Sequence, residues 1–301
     1  MKYKVVIFGV KTETQELINK FQDRIDLVVT LDEDEKSKYH ISGGDNLHSQ
    51  DMEFFHTDNY SLKSDLCNNF FSNNQFDIGI VVGWQRLIPQ YILENFKHGI
   101  FGFHASPLGL PFGKGRSPAN WSMILGFEQV YSHFFQYNEK ADDGFIYSTK
   151  KLDILPWDNI FTLKQKILFH QIDSTEKLLN DYSNNNIELS NQDKTLPETF
   201  FPKREPSDGK IDLTKSTEKI FNLIRGCTKP FPGAFLYYDK NKIDIWDAVP
   251  FSYELKFKKY RIGEIVKMYE DESFIIKTVD GSILIKKWTS TCKLEQHTML
   301  E

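Results

Sequence analysis

Cysteine is scarce in this 301-residue chain: Cys67, Cys227 and Cys292 stand far apart, odd in number and with no C-x-x-C pair. A disulfide framework, a zinc knuckle and a dithiol redox motif are therefore excluded, and a reducing, cytoplasmic compartment is expected. Long hydrophobic runs are missing too: nothing approaches about 18 consecutive apolar residues, so no membrane span is expected. The early run Val5-Val6-Ile7-Phe8 is too short for a signal-peptide core and reads as a first strand. There is no basic excess; 37 Lys and Arg against 42 Asp and Glu leave a formal charge of −5, which disfavours a long nucleic-acid partner. Two phosphate-binding signatures are absent as well. After the first run the chain reads Gly9-Val10-Lys11-Thr12-Glu13-Thr14 instead of G-x-G-x-x-G, and no G-x-x-x-x-G-K-[ST] loop occurs. Dinucleotide binding and nucleoside triphosphate hydrolysis have no support.

The composition that remains, 40% hydrophobic and 26% charged, is an ordinary globular mix. Val5–Phe8 and Leu27–Leu31 are β-branched runs, and between them Leu17, Ile18 and Phe21 recur at helical spacing, with Thr12 and Gln15 placed as a capping box. Strand, helix, strand implies a right-handed parallel crossover. A buried strand over 77–82 follows, then a helix over 88–96, strands near 99–103 and 132–136, and a helix capped by Ser117, opened by Pro118 and ended at Gly126. A longer helix covers 159–182. The pattern predicts an α/β fold: a doubly wound, Rossmann-like, mainly parallel sheet whose ligands sit beyond the carboxyl ends of the strands. The polar stretch 190–196 marks a boundary between a domain over 1–195 and a smaller β-rich domain over 196–301. In the latter a helix over 216–225 precedes strand-like segments at 234–238, 242–246, 263–268, 273–278 and 282–288.

Chemistry concentrates in the stretch from Gly102 to Trp121. His104 directly follows a predicted strand and is followed by Ser106, Leu110-Pro111, Lys114, Gly115, Arg116 and Ser117-Pro118. A loop so rich in glycine and proline approaches a ligand by its backbone, and it ends on a helix N-terminus, where anions are favoured. Ala141-Asp142-Asp143-Gly144 follows another predicted strand, at the same sheet edge. A carboxylate beside an imidazole orients it for proton transfer and oxyanion stabilisation.

In this order the segments resemble the formyltransferase family that uses 10-formyltetrahydrofolate. The likeness is carried by His104, Ser106, Leu110-Pro111, Gly115 and Pro118, then Asp142 and Gly144. It implies that residues 1–195 form a folate-binding catalytic domain, with His104 and Asp142 as the catalytic pair and no metal. Gln85, Arg86, Leu87 and Ile88 resemble the pterin-binding segment and, with Asp142 and Gly144, are expected to meet the folate. One departure stands out: the family's catalytic asparagine falls at Gly102. Asn120, a bound water or a backbone N–H are the candidates to replace its amide.

The segments 203–212 and 225–234 resemble the start of a second domain shared by the tRNA-directed and sugar-directed branches. Charge separates those two. Where the tRNA-directed branch carries a basic loop, this chain reads Leu31-Asp32-Glu33-Asp34-Glu35-Lys36-Ser37-Lys38. The resemblance therefore implies a nucleotide-linked amino sugar as acceptor, with Ser106, Lys114, Arg116 and Arg204 toward its polar and phosphate groups and Tyr237 or Trp246 toward its base. Methionyl-tRNA formylation and a non-catalytic binding relative are the alternatives, and a homodimer stays open. The basic run at 256–261, which interleaves cations with aromatics, reads as a solvated strand face.

Overall fold

Alternation within β-branched runs decides which side chains face which layer. Val6 and Phe8 point to one face of the first strand and Val5 and Ile7 to the other, and both faces are buried. In the computed structural model, which describes residues 2–39, 47, 49 and 52–301, the first strand is β1 (Lys2–Phe8). It is followed by α1 (Thr12–Phe21), β2 (Leu27–Leu31), α2 (Glu33–Lys38), β3 (Glu53–Thr57), α3 (Asp65–Ser72), β4 (Gln75–Val81) and α4 (Gln90–Leu93). Then come β5 (Ile100–Ser106), β6 (Lys114–Gly115), α5 (Pro118–Ile124), β7 (Gln129–Gln136), β8 (Ile146–Asp153) and α6 (Ile160–Ser183). One sheet runs β3-β2-β1-β4-β5-β7-β8. Its β3, β2, β1, β4 and β5 are parallel neighbours, and β7 is antiparallel to β5. Strand order reverses between β1 and β4, so the crevice at their carboxyl ends is the topological switch point where α/β sheets take ligands.

Several local expectations shift. The cap of α1 lies one residue early, at Lys11, because Thr14 is buried and its hydroxyl both accepts from the Lys11 N–H (3.3 Å) and donates to the Val82 carbonyl (2.7 Å). Thr12 and Gln15 do not form the capping box. The helix expected over 88–96 shrinks to the single turn of α4, because Pro89 stands in extended backbone at its N-cap. Ser117 precedes α5 as expected, yet in a left-handed conformation its side chain caps nothing. Strand β3 and helix α3 were not legible as periodic segments.

The remaining elements are β9 (Phe200–Phe201), α7 (Thr217–Cys227), β10 (Ala234–Tyr238), β11 (Asn241–Ser252), β12 (Ile265–Met268), β13 (Phe274–Lys277) and β14 (Ser282–Ser290). Five of them form an antiparallel sheet ordered β10-β11-β14-β13-β12. Its core joins Ile243, Ile245, Ile283 and Ile285 to Ile220 and Ile224 of α7. Ser216 caps α7 by accepting the Lys219 N–H. The basic run at 256–261 is a loop between β11 and β12, not a strand face.

By contacts the chain divides into two units, and not along a single cut. The first holds Met1–Lys114, Tyr131–Lys151 and Ile167–Thr199; the second holds Gly115–Val130, Leu152–Lys166 and Phe200–Glu301. The segment with α5 joins the second unit because α5 packs on α7, with Asn120 Nδ2 donating to the Gly226 carbonyl at 2.9 Å.

Candidate active site

The carboxyl end of β5 places Gly102, His104 and Ser106 on one face of the sheet, since side chains two residues apart point the same way. His104 is buried within the strand, paired across to His133. Its Nε2 lies 2.8 Å from the Gly113 carbonyl, an oxygen that only accepts, so Nε2 carries the hydrogen. Nδ1 faces Asp142 Oδ1 at 3.4 Å, ion-pair distance rather than a tight hydrogen bond. The loop after β7 thus delivers a carboxylate to the open side of the imidazole. Asp142 adopts a positive φ of 54°. Gln192 Nε2 ties the loop down by donating to the carbonyls of Asp142 (2.9 Å) and Gly144 (3.1 Å).

Gly144 is there for a steric reason, because a Cβ on it would overlap the Gln136 carbonyl. Gly144→Ala is therefore expected to lift the loop off β7 and to cost about 1–3 kcal/mol, as overpacking does. Urea unfolding checks it, and an unchanged midpoint would show that the loop absorbs the methyl.

Gly102 has a different neighbour. A Cβ there would meet Cε1, Cζ and Oη of Tyr137, whose ring fills the slot that the missing side chain leaves. Asn120, a sequence candidate to replace the family's amide, is committed to Gly226 and buried. Sequence reasoning missed Tyr137. The available signal was the glycine inside a strand, which marks a close approach by a neighbour.

The other predicted residues divide. Gln85–Ile88 lie in the connection between β4 and α4, at the switch point. Gln85 and Leu87 are exposed, and the Gln85 N–H donates to the Tyr60 hydroxyl at 3.0 Å. The Arg86 guanidinium lies over the rings of Tyr60 (4.8 Å) and Tyr39 (5.4 Å). Ile88 is buried in the core cluster that includes Phe8 and Trp84. Ser106 is fully buried, with no partner for its hydroxyl among the described residues. Lys114 is 1% exposed, and Nζ bonds Asp143 and, at 2.7 Å, Glu198, which match its charge. Burial works against its charge, and hydrogen bonds to the two carboxylates win, raising its pKa.

In the second unit, half-buried Arg116 makes no ion pair among the described residues. Arg204 lies over the Trp121 ring (5.0 Å) and donates to the Asp208 carbonyl (3.1 Å) and Cys227 Sγ (3.1 Å). Trp246 donates to Thr289 Oγ1 at 2.9 Å and carries Lys229 over its ring, so one of its faces is already covered. Tyr237 is half-buried, with Lys210 over its ring.

On the neighbouring strand β7, His133 accepts the Leu110 N–H at Nε2 (3.0 Å) and donates from Nδ1 to Thr149 Oγ1 (2.8 Å). Its pKa is pushed down to about 4, by burial first and then by His104 and His170. His170, bonded to Ser132 and Ser174, is lowered to about 4 for the same leading reason. Both rings are structural and neutral. Among the described residues no group of three or more His, Cys, Asp or Glu could hold a metal ion, and no helix is long and apolar enough to cross a membrane.

Comparisons with known proteins come down on one family. Residues 1–175 match the model of the formyl transferase family and residues 203–298 match that of the formyl transferase C-terminal domain. Over 210 residues the chain is 29% identical to a methionyl-tRNA formyltransferase of Sulfurihydrogenibium sp. (strain YO3AOP1), a match covering 70% of this chain and 65% of that protein. The match thus spans a little under two thirds of that relative's length. HypX from Aquifex aeolicus in complex with tetrahydrofolic acid superimposes with a TM-score of 0.68 at 14% identity, over 97% of this chain and 45% of that one. The N-formyltransferase from Helicobacter canadensis, in complex with folinic acid and dTDP-3-aminofucose, does so with a TM-score of 0.61 at 17% identity, over 95% and 99%. With more than half its length matched by the family's model, the chain belongs to the formyl transferase family.

Proposed function

We propose that the protein transfers the formyl group of 10-formyltetrahydrofolate to the amine of a nucleotide-linked amino sugar, of the 4-amino-4,6-dideoxyhexose kind used in surface polysaccharide. The observation that carries the acceptor class is α2. Asp32 caps this helix by accepting the Glu35 N–H, and Glu33, Asp34 and Glu35 fill its first turn. Lys36 and Lys38 pair with Glu33 and Glu35, and the net negative charge that Asp32 and Asp34 leave would still repel a polynucleotide backbone meeting this turn. A compact nucleotide sugar carries far fewer charges. The Helicobacter canadensis protein, solved with dTDP-3-aminofucose, matches along nearly the whole of both chains and supports a nucleotide-linked amino sugar as the acceptor class, though not the position of its amine.

The switch point fits a folate. Leu87 offers exposed apolar surface, and buried Trp84 Nε1 has no acceptor among the described residues, as suits a flat heterocycle with acceptor atoms at its edge. In the reaction the neutral acceptor amine attacks the formyl carbon, a C–N bond forms and the bond to the folate nitrogen breaks. The amine proton leaves toward Asp142 and ends on the departing nitrogen. Because Gly113 holds Nε2, the exchanging position of His104 is Nδ1, beside Asp142. There the ring stabilises the charge that develops on the formyl oxygen and hands protons on. Much of the acceleration comes from holding two substrates together.

A second reading, formylation of methionyl-tRNA, is favoured by the sequence relative. An absorbance assay for consumption of 10-formyltetrahydrofolate, with dTDP-, UDP- and GDP-linked amino sugars and methionyl-tRNA as acceptors, tests both. Turnover with a nucleotide sugar is expected. Turnover with the tRNA alone would overturn the acceptor class, and folate binding without turnover would point to a non-catalytic relative.

A further inference from the structure

We infer that the phenol of Tyr137 supplies the hydrogen bond to the formyl oxygen that a side chain at position 102 cannot give in this chain. The inference rests on the formyl transfer proposed above but not on the class of acceptor.

Three observations lead to it. First, the hydroxyl end of Tyr137 occupies the space in which a residue-102 side chain would begin, because Cε1, Cζ and Oη are the atoms that a Cβ at Gly102 would strike. That space lies on the same face of β5 as His104, one pleat repeat away. Second, the register explains how the ring gets there. Gly102 pairs with Phe135, and the Tyr137 N–H donates to the Ile100 carbonyl at 2.7 Å, so the Tyr137 ring, 5.1 Å from that of Phe135, lies diagonally across the glycine. Third, the hydroxyl is unspent, with no hydrogen-bond partner among the described residues. A phenol placed only to fill a glycine slot would do as well as phenylalanine, since the ring alone covers the gap.

The surroundings keep it a donor. Burial, and then the negative charge of Asp142, holds the phenol pKa well above its ordinary value, so the proton stays on the oxygen at neutral pH. The same Asp142 stands 3.4 Å from His104 Nδ1, which brings phenol, carboxylate and imidazole to one place. Tyr137 transfers no proton in this scheme. The C=O electron pair moves onto oxygen as the amine adds, the phenol O–H bonds to that oxygen more strongly as its charge grows, and the pair returns when the bond to the folate nitrogen breaks. A donor aimed at a developing oxyanion acts mainly on the transition state, so its removal shows in kcat and not in KM.

Tyr137→Phe tests this, because it keeps the ring in the glycine slot and removes only the hydroxyl. It is assayed beside wild type with whichever acceptor turns over, together with KM for 10-formyltetrahydrofolate and the thermal midpoint. The expected result is a kcat lower by about 100-fold or more, with KM within about threefold and an unchanged midpoint. A kcat within about threefold of wild type overturns the inference. So does a loss that follows KM or the midpoint, since that marks a packing role. A wild type silent with every acceptor would remove formyl transfer itself and this inference with it, an outcome distinct from an active wild type matched by an active Tyr137→Phe.

Discussion

His104→Ala is expected to lower kcat by about 10²–10⁴-fold while folate binding persists, the range for loss of a positioned acid–base group. The ring lies in a strand interior, hydrogen-bonded to Gly113 on one side and facing Asp142 on the other, so its truncation removes the proton-exchanging nitrogen without touching the switch point around Gln85 and Leu87. Steady-state turnover with the acceptor found in the panel, beside folinic acid binding by titration, separates the two effects. Asp142→Asn keeps the shape and removes the negative charge, so it should lower kcat in the same direction. A His104→Ala protein that turns over at the native rate would falsify the assignment of the pair.

The second large effect concerns acid. His133 is buried and neutral, with a pKa lowered from 6.5 to about 4. In the unfolded chain it binds a proton near pH 6.5, and in the folded protein only near pH 4. Stability is therefore full above about 6.5 and falls as pH drops between those values, because the unfolded state then holds more protons. The depression corresponds to about 3 kcal/mol lost from this one residue by pH 4. His170 acts in the same direction. Urea midpoints at pH 7, 5.5 and 4 should fall steeply, and His133→Gln should flatten part of that slope even if it starts lower. A midpoint independent of pH over this range would mean that neither ring is held neutral.

Legibility in the sequence followed the range of the interactions. Ala234–Tyr238 emerges as β10 with the bounds its residues suggested, and the long helix over 159–182 emerges as Ile160–Ser183, because short-period patterns and turn residues decide such elements locally. Strand β3 escaped notice because its burial is uneven and its identity comes from pairing with β2. That Ile88 and Ser106 are buried was not legible either, because burial is set by neighbours distant in sequence. Lys114 shows the same limit most clearly: a cation in a glycine-rich loop looks free until Asp143 and Glu198, 29 and 84 residues on, are seen to hold it.

By itself the sequence determined the α/β class, the β-rich second part, the segments that carry chemistry and the order of His104, Asp142 and Gly144, since periodicity and motif order are properties of the chain. Only the tertiary structure decided which nitrogen of His104 faces Asp142, which polar groups are already spent and what stands beside Gly102. Those are questions of distance and burial between residues that the β5–β7 pairing and the loop after β7 bring together, and no spacing along the chain encodes them.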